Sequence, residues 1–125
     1  MALPKNNRLP RGARLKSTAA IDALFASGRS ALSYPLRAVW LPTGEGGAKL
    51  FVSIPKRRVR HAVDRVACRR RVREAYRLQR RELLPEELNV NLGLIYVANG
   101  PTDYAKIFRA VGELLQRIAD EKSAD

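Results

Sequence analysis

The sequence predicts an α/β (α+β) fold: a small two-layer sandwich of helices on a mixed sheet. Three observations carry this expectation. Hydrophobic patterning alternates between helical and strand periods along the chain, in the order helix, strand, strand, helix, strand, helix. A long Gly- and Pro-free basic stretch lies between two apolar strands, so it can serve as the crossover that makes them parallel neighbours. The chain has 125 residues, 46% of them hydrophobic, enough for one domain with a real core and no internal repeat or linker.

Each element has a local signature. Residues 1–13 carry Pro4, Pro10 and the bases Lys5, Arg8 and Arg11 with no regular period, which predicts a basic extended arm ahead of a core over 14–122. Ser17 or Thr18 can cap a first helix, whose apolar face is Ala20, Ile21, Leu24 and Phe25, with Gly28 suited to the C′ position. Leu36–Leu41 is a strand that Pro35 prevents from starting earlier. Thr43-Gly44-Glu45-Gly46-Gly47 is turn material and suggests a hairpin to Ala48–Ile54, where Ala48, Leu50, Val52 and Ile54 share a face.

Pro55 stops that strand, and Pro85 closes the basic helix that follows, with Glu82–Leu88 as connector. The run Asn91–Val97 is apolar enough for a central strand, and Asn99-Gly100-Pro101 is a turn. Thr102 or Asp103 then caps a last helix, with a stripe of Tyr104, Ile107, Phe108, Val111, Leu114, Leu115 and Ile118 to lay on the sheet.

Composition narrows the function. A net charge of +12 makes a polyanion, nucleic acid first, the expected partner. No stretch approaches the roughly 20 apolar residues of a membrane span. Without a signal-peptide core, a cytoplasmic protein is the default expectation. Cys68 and His61 are single, so neither a disulfide, a cysteine-based zinc site nor a serine triad can be built. Asp22, Asp64 and Glu74 are scattered, and the paired carboxylates of a two-metal nuclease are missing. We expect no catalytic residue and no metal ligand in this chain.

The basic helix is the most informative stretch. Residues 56–81 hold 12 of the 24 Lys and Arg residues, against only Asp64 and Glu74. At 100° per residue, Cys68, Val72, Ala75, Gln79 and Leu83 share the core face, with Tyr76 at its margin. Arg69, Arg73, Arg77 and Arg80 are expected roughly opposite, flanked by Arg70 and Arg81. Arg69, Arg73 and Arg77 would form a ridge about 12 Å long at a 1.5 Å rise. Guanidinium forks at that spacing suit successive phosphates of an RNA strand.

The runs Val52-Ser53-Ile54-Pro55-Lys56-Arg57, Ala62-Val63-Asp64-Arg65 and Arg69-Arg70-Arg71-Val72-Arg73-Glu74-Ala75-Tyr76-Arg77 resemble the protein component of bacterial ribonuclease P. Arg14-Leu15-Lys16 with Ile21, Leu24-Phe25 and Gly28, and Tyr34-Pro35-Leu36-Arg37, agree in order and spacing. The resemblance spans roughly Arg14 to Lys122. It implies a four-stranded mixed sheet with three helices, like domain 2 of ribosomal protein S5, and a left-handed βαβ crossover.

The resemblance also implies a role. The protein would join a large catalytic RNA that removes the 5′ leader of precursor tRNA, the RNA holding the Mg²⁺ and performing the hydrolysis. By position, Lys56, Arg57, Arg58, Arg65, Arg69, Arg70, Arg73 and Arg77 fall on the RNA-subunit contact. Arg14, Lys16, Ile21, Phe25, Tyr34 and Arg37 fall on a leader-binding cleft, where an aromatic can stack on an unpaired base. The sequence departs from the family pattern at Val66 and Ala67, where Asn and a basic residue are usual, and at Ile21, where Phe is frequent. The protein alone is expected to be a monomer.

Other classes fit less well. A non-catalytic RNA-binding protein, such as a ribosomal protein or RNA chaperone, shares the charge but not the joint motifs. A DNA-binding helix-turn-helix needs two helices joined by a short turn, and here two strands intervene. A membrane-surface helix needs bulkier apolar residues than the Val/Ala/Cys face offers.

Overall fold

In the computed structural model, which describes residues 14–124, Ser17 accepts a hydrogen bond from the Ala20 N–H (3.3 Å) and so starts α1, Thr18–Ser27. The expected arm of 1–13 lies outside the described residues. Gly28 ends α1 for a different reason than expected. Its φ of −72° is not left-handed, and its N–H bonds the Leu24 carbonyl. Glycine is needed for space, because a Cβ would stand 2.3 Å from the Leu24 oxygen and 3.1 Å from the Trp40 oxygen.

Four strands follow: β1 (Arg29–Ser33), β2 (Leu36–Pro42), β3 (Ala48–Ser53) and β4 (Val90–Tyr96). They form one sheet in the order β1-β2-β4-β3. The expected hairpin across Thr43–Gly47 is therefore a correction. β2 and β3 do not pair, because β4 lies between them, antiparallel to β2 and parallel to β3. Asn89 just before β4 holds the intervening loop: its side-chain oxygen accepts from Gly47 N–H at 2.8 Å, and its carbonyl accepts from Thr43 N–H at 3.0 Å. The hairpin lies one strand earlier, where β1 and β2 pair across Tyr34-Pro35, whose peptide bond is cis.

The basic helix is α2, Ala62–Leu83, and the last helix is α3, Tyr104–Ala124. As expected for a crossover, α2 joins two parallel neighbours, β3 and β4. The main core lies between α2, α3 and one sheet face, and includes Trp40, Leu92, Leu94, Val72, Tyr76, Ile107 and Leu115. Ser33 donates to Glu113 (2.6 Å) and Arg29 pairs with Glu121, tying β1 to α3. The chain enters α3 at Asp103, whose carbonyl accepts from Lys106 and Ile107. Thr102 instead meets the Tyr96 hydroxyl. One stripe residue departs from expectation: Phe108 is 37% exposed, while Ala110 fills the core.

The opposite sheet face is covered only in part by the described residues. There Leu15, Leu24 and Val39 form a smaller core with Ala20, Ile21, Leu41, Phe51 and Ile95 around it. Leu15 N–H bonds the Leu50 carbonyl (2.8 Å) at the β3 edge, and Gly28 abuts Trp40 of β2. Helix α1 thus crosses the strands from the β3 edge towards β1, and leaves uncovered the end of this face nearest Tyr34.

Candidate RNA-binding faces

Two unlike surfaces stand on opposite sides of the sheet. The first is the outer side of α2. Cys68, Val72, Ala75 and Tyr76 are buried, as the helical period requires. The ridge is rotated from its expected position. The outermost side chains are Val63, Val66, Arg70, Glu74, Leu78 and Arg81, all exposed, whereas Arg69, Arg73, Arg77 and Arg80 are half-buried. The reason is angular: Arg69 and Arg73 each lie one residue, about 100°, past buried Cys68 and Val72, on the shoulder and not the crest.

The cations on this face do different work. Arg65 turns back to donate to the Val59 and Arg60 carbonyls (3.1 and 2.8 Å), closing the lead-in to a helix whose N-cap, His61, makes no side-chain cap bond. Arg58 donates to the Asn99 side chain (3.1 Å), and its carbonyl accepts from Gly100 N–H. Arg77 is paired with Glu74. Lys56, Arg57 and Arg70 are exposed, and none of the salt bridges among the described residues involves them or Arg69 and Arg73. Burial first, then the charges of Arg14 and Arg69, push the Arg73 guanidinium below its ordinary pKa. Cys68 is buried, and burial raises its thiol pKa, which makes it an inert core side chain.

The second surface is the uncovered sheet end beside α1. In register across it run Leu32, Arg37, Ile95 and Ser53, with Val39, Gly93 and Phe51 in the next row under α1. Phe25 projects from α1, 50% exposed, with its ring edge-on to Phe51 at 6.3 Å. Leu32 is 60% exposed on this face, and Tyr34, 67% exposed, lies in the turn between β1 and β2. Gly93 keeps the floor low, since a Cβ there would meet Val39 at 3.0 Å and Leu24 at 3.4 Å.

Of the residues grouped by sequence with this cleft, Phe25 and Arg37 border it with exposed side chains, while Tyr34 is exposed in the turn between β1 and β2 and acts on Tyr96 of the main core. Ile21 packs into the smaller core, and Lys16 is exposed just before the α1 cap. Arg14 is elsewhere. It bridges Leu50 at the outer β3 edge, and its charge acts on Arg73 of α2. Leu32, Ile95 and Ser53 were not anticipated. Alternation with Ser30, Val39 and Phe51 places them on this face, but only once β1 and the strand order are known.

A basic helix on one side and a shallow aromatic and cationic cleft on the other define a small nucleic-acid-binding α/β protein. The Ribonuclease P family profile matches residues 9–119. The ribonuclease P protein components of two Porphyromonas gingivalis strains are each 32% identical over 126 residues, covering 95% of this chain and 92% of theirs. The Staphylococcus aureus RNase P protein superposes with a TM-score of 0.70 at 19% identity, over 86% of this chain and 94% of that one. The Thermotoga maritima RNase P protein gives 0.70 at 18% identity, over 83% and 96%. The chain belongs to the ribonuclease P protein family: it is an accessory subunit whose partner is the ribonuclease P RNA, and the endoribonuclease activity is the holoenzyme's.

Proposed function

We propose that the two faces divide the work of tRNA 5′-end maturation. The α2 side, with the Lys56–Arg58 turn, docks on the catalytic RNA. The cleft beside α1 receives the single-stranded 5′ leader of precursor tRNA. Mg²⁺ is held mainly by the RNA, which performs the hydrolysis, and the complex works in the cytoplasm. The observation that carries this reading is the separation of the faces. Guanidinium groups, most of them outside the salt bridges among the described residues, crowd the α2 side, where rows of phosphate can neutralise them. On the other side Phe25 borders an open floor at which Arg37 supplies a cation, with Tyr34 exposed in the adjoining turn, a combination suited to unpaired bases and their backbone.

Each residue's part follows from its chemistry. Phe25 offers a ring face to an unpaired base, and Arg37 neutralises the neighbouring phosphate. Arg70, at the crest of α2, meets the RNA backbone first, while Arg65 has some of its donors committed to the Val59 and Arg60 carbonyls and so braces the docking surface. Reconstitution with a bacterial ribonuclease P RNA at low Mg²⁺ tests the proposal. The protein is expected to accelerate release of the leader from precursor tRNA over RNA alone. RNA binding without any such stimulation would favour a non-catalytic RNA-binding protein and overturn the reading.

A further inference from the structure

Arg14 sits where its sequence neighbours would not place it. Its backbone bridges Leu50 on the outer edge of β3, and the next residue, Leu15, turns into the small core under α1. Extended chain alternates its side chains, so Arg14 points to the other side of the sheet, beneath α2. The flank of α2 that overhangs this edge is the one turned away from α3. Gln79 marks the α3 side through its bond to the Phe108 carbonyl (2.9 Å), and Arg69 and Arg73 lie on the opposite shoulder.

The Arg14 Nε is buried and has no hydrogen-bond partner among the described residues. A buried N–H donor left unpaired loses its hydration with nothing in return, so an acceptor entering this corner is favoured. Neither salt bridge among the described residues reaches it. Charge on Arg14 and Arg69 already acts on Arg73, so an anion entering between them is favoured.

We propose that Arg14, Arg69 and Arg73 together clamp one phosphate of the ribonuclease P RNA at the outer edge of β3, which makes the segment before α1 part of the RNA-subunit contact and not of the leader cleft. The inference rests on the proposed docking of α2 on that RNA and adds a residue and a position to it. The forked donors of three arginines around one phosphate satisfy the orphaned Nε and offset the charge in one step.

The test is binding of the full-length protein to the catalytic RNA with no tRNA present. Arg14→Gln is expected to weaken binding several-fold and to lower the slope of log K against log salt by about 0.7–0.9, one phosphate contact. In combination with Arg73→Gln the loss is expected to be smaller than the product of the two single losses, since both act on one phosphate. Arg14→Lys, which keeps the charge, is expected to keep the slope; a slope as low as that of Arg14→Gln would point to misfolding and overturn the inference. A loss seen only when leader-bearing precursor is present would return Arg14 to the cleft. If Arg69→Gln and Arg73→Gln weaken binding while Arg14→Gln does not, the clamp fails and the docking face stands. If none of the three matters, the docking face fails with it.

Discussion

Tyr76 occupies the middle of the core with its hydroxyl buried and without a partner among the described residues. Burial pushes its pKa up, and the Arg80 guanidinium, 5.9 Å from the ring centre, pulls weakly the other way. Tyr76→Phe removes a polar atom that gains nothing from being inside. We expect it to raise stability by about 1 kcal/mol, read from the urea midpoint at neutral pH; a loss of that size would mean the hydroxyl is satisfied. Burial likewise raises the pKa of Tyr96. A phenol whose pKa is higher folded than unfolded leaves stability intact below the unfolded value, and stability falls as pH rises past it. Unfolding should therefore become easier above about pH 10, and Tyr76→Phe should lessen that sensitivity. Gly28 is the other residue whose identity is dictated by its surroundings. Gly28→Ala drives a methyl into two backbone oxygens and is expected to cost about 1–3 kcal/mol in the same assay.

At the scale of elements, α2 is where charge and packing meet. Arg69→Ala with Arg73→Ala should lower the salt slope of RNA binding by about 0.7–0.9, the one phosphate they are proposed to share with Arg14, whereas Arg77→Ala, already paired with Glu74, should change it less. An equal effect of Arg77 would mean that the grip runs along the whole shoulder in spite of the Glu74 pair. The buried seam of α2 was legible from its period: Cys68, Val72 and Ala75 lie inside as read. The direction of its arginines was legible only in part, because residues one step past the seam end on a shoulder. The strand order was not legible. Gly-rich Thr43–Gly47 looks like a hairpin turn, but pairing is decided by β4, about forty residues later, and local glycine chemistry carries no record of it. β1 escaped notice because Arg29–Ser33 has only Ala31 inside and depends on β2 for its partner.

At the scale of the whole molecule, the sheet acts as a partition. In the proposed division of work, an α2 face that meets a folded RNA through many phosphates should lose affinity steeply with salt. A cleft that meets a short single strand through stacking and few charges should contribute only when a leader is present and depend less on salt. Sequence alone placed Phe25, Tyr34 and Arg37 together by resemblance; the sheet register puts Arg37 on the α1 face beside Ile95, where Phe25 of α1 packs on Phe51, and leaves Tyr34 in the turn outside the paired residues. That register also separates Arg14 from them, since one step of alternation reverses a side chain.

The most direct test compares holoenzyme affinity for precursor tRNA and for the same tRNA without its leader, using Phe25→Ala with Arg37→Ala. The account predicts that the double variant loses most of the preference for precursor while binding leaderless tRNA and the catalytic RNA as before. An equal loss for both tRNAs, or a preference left intact, would contradict it.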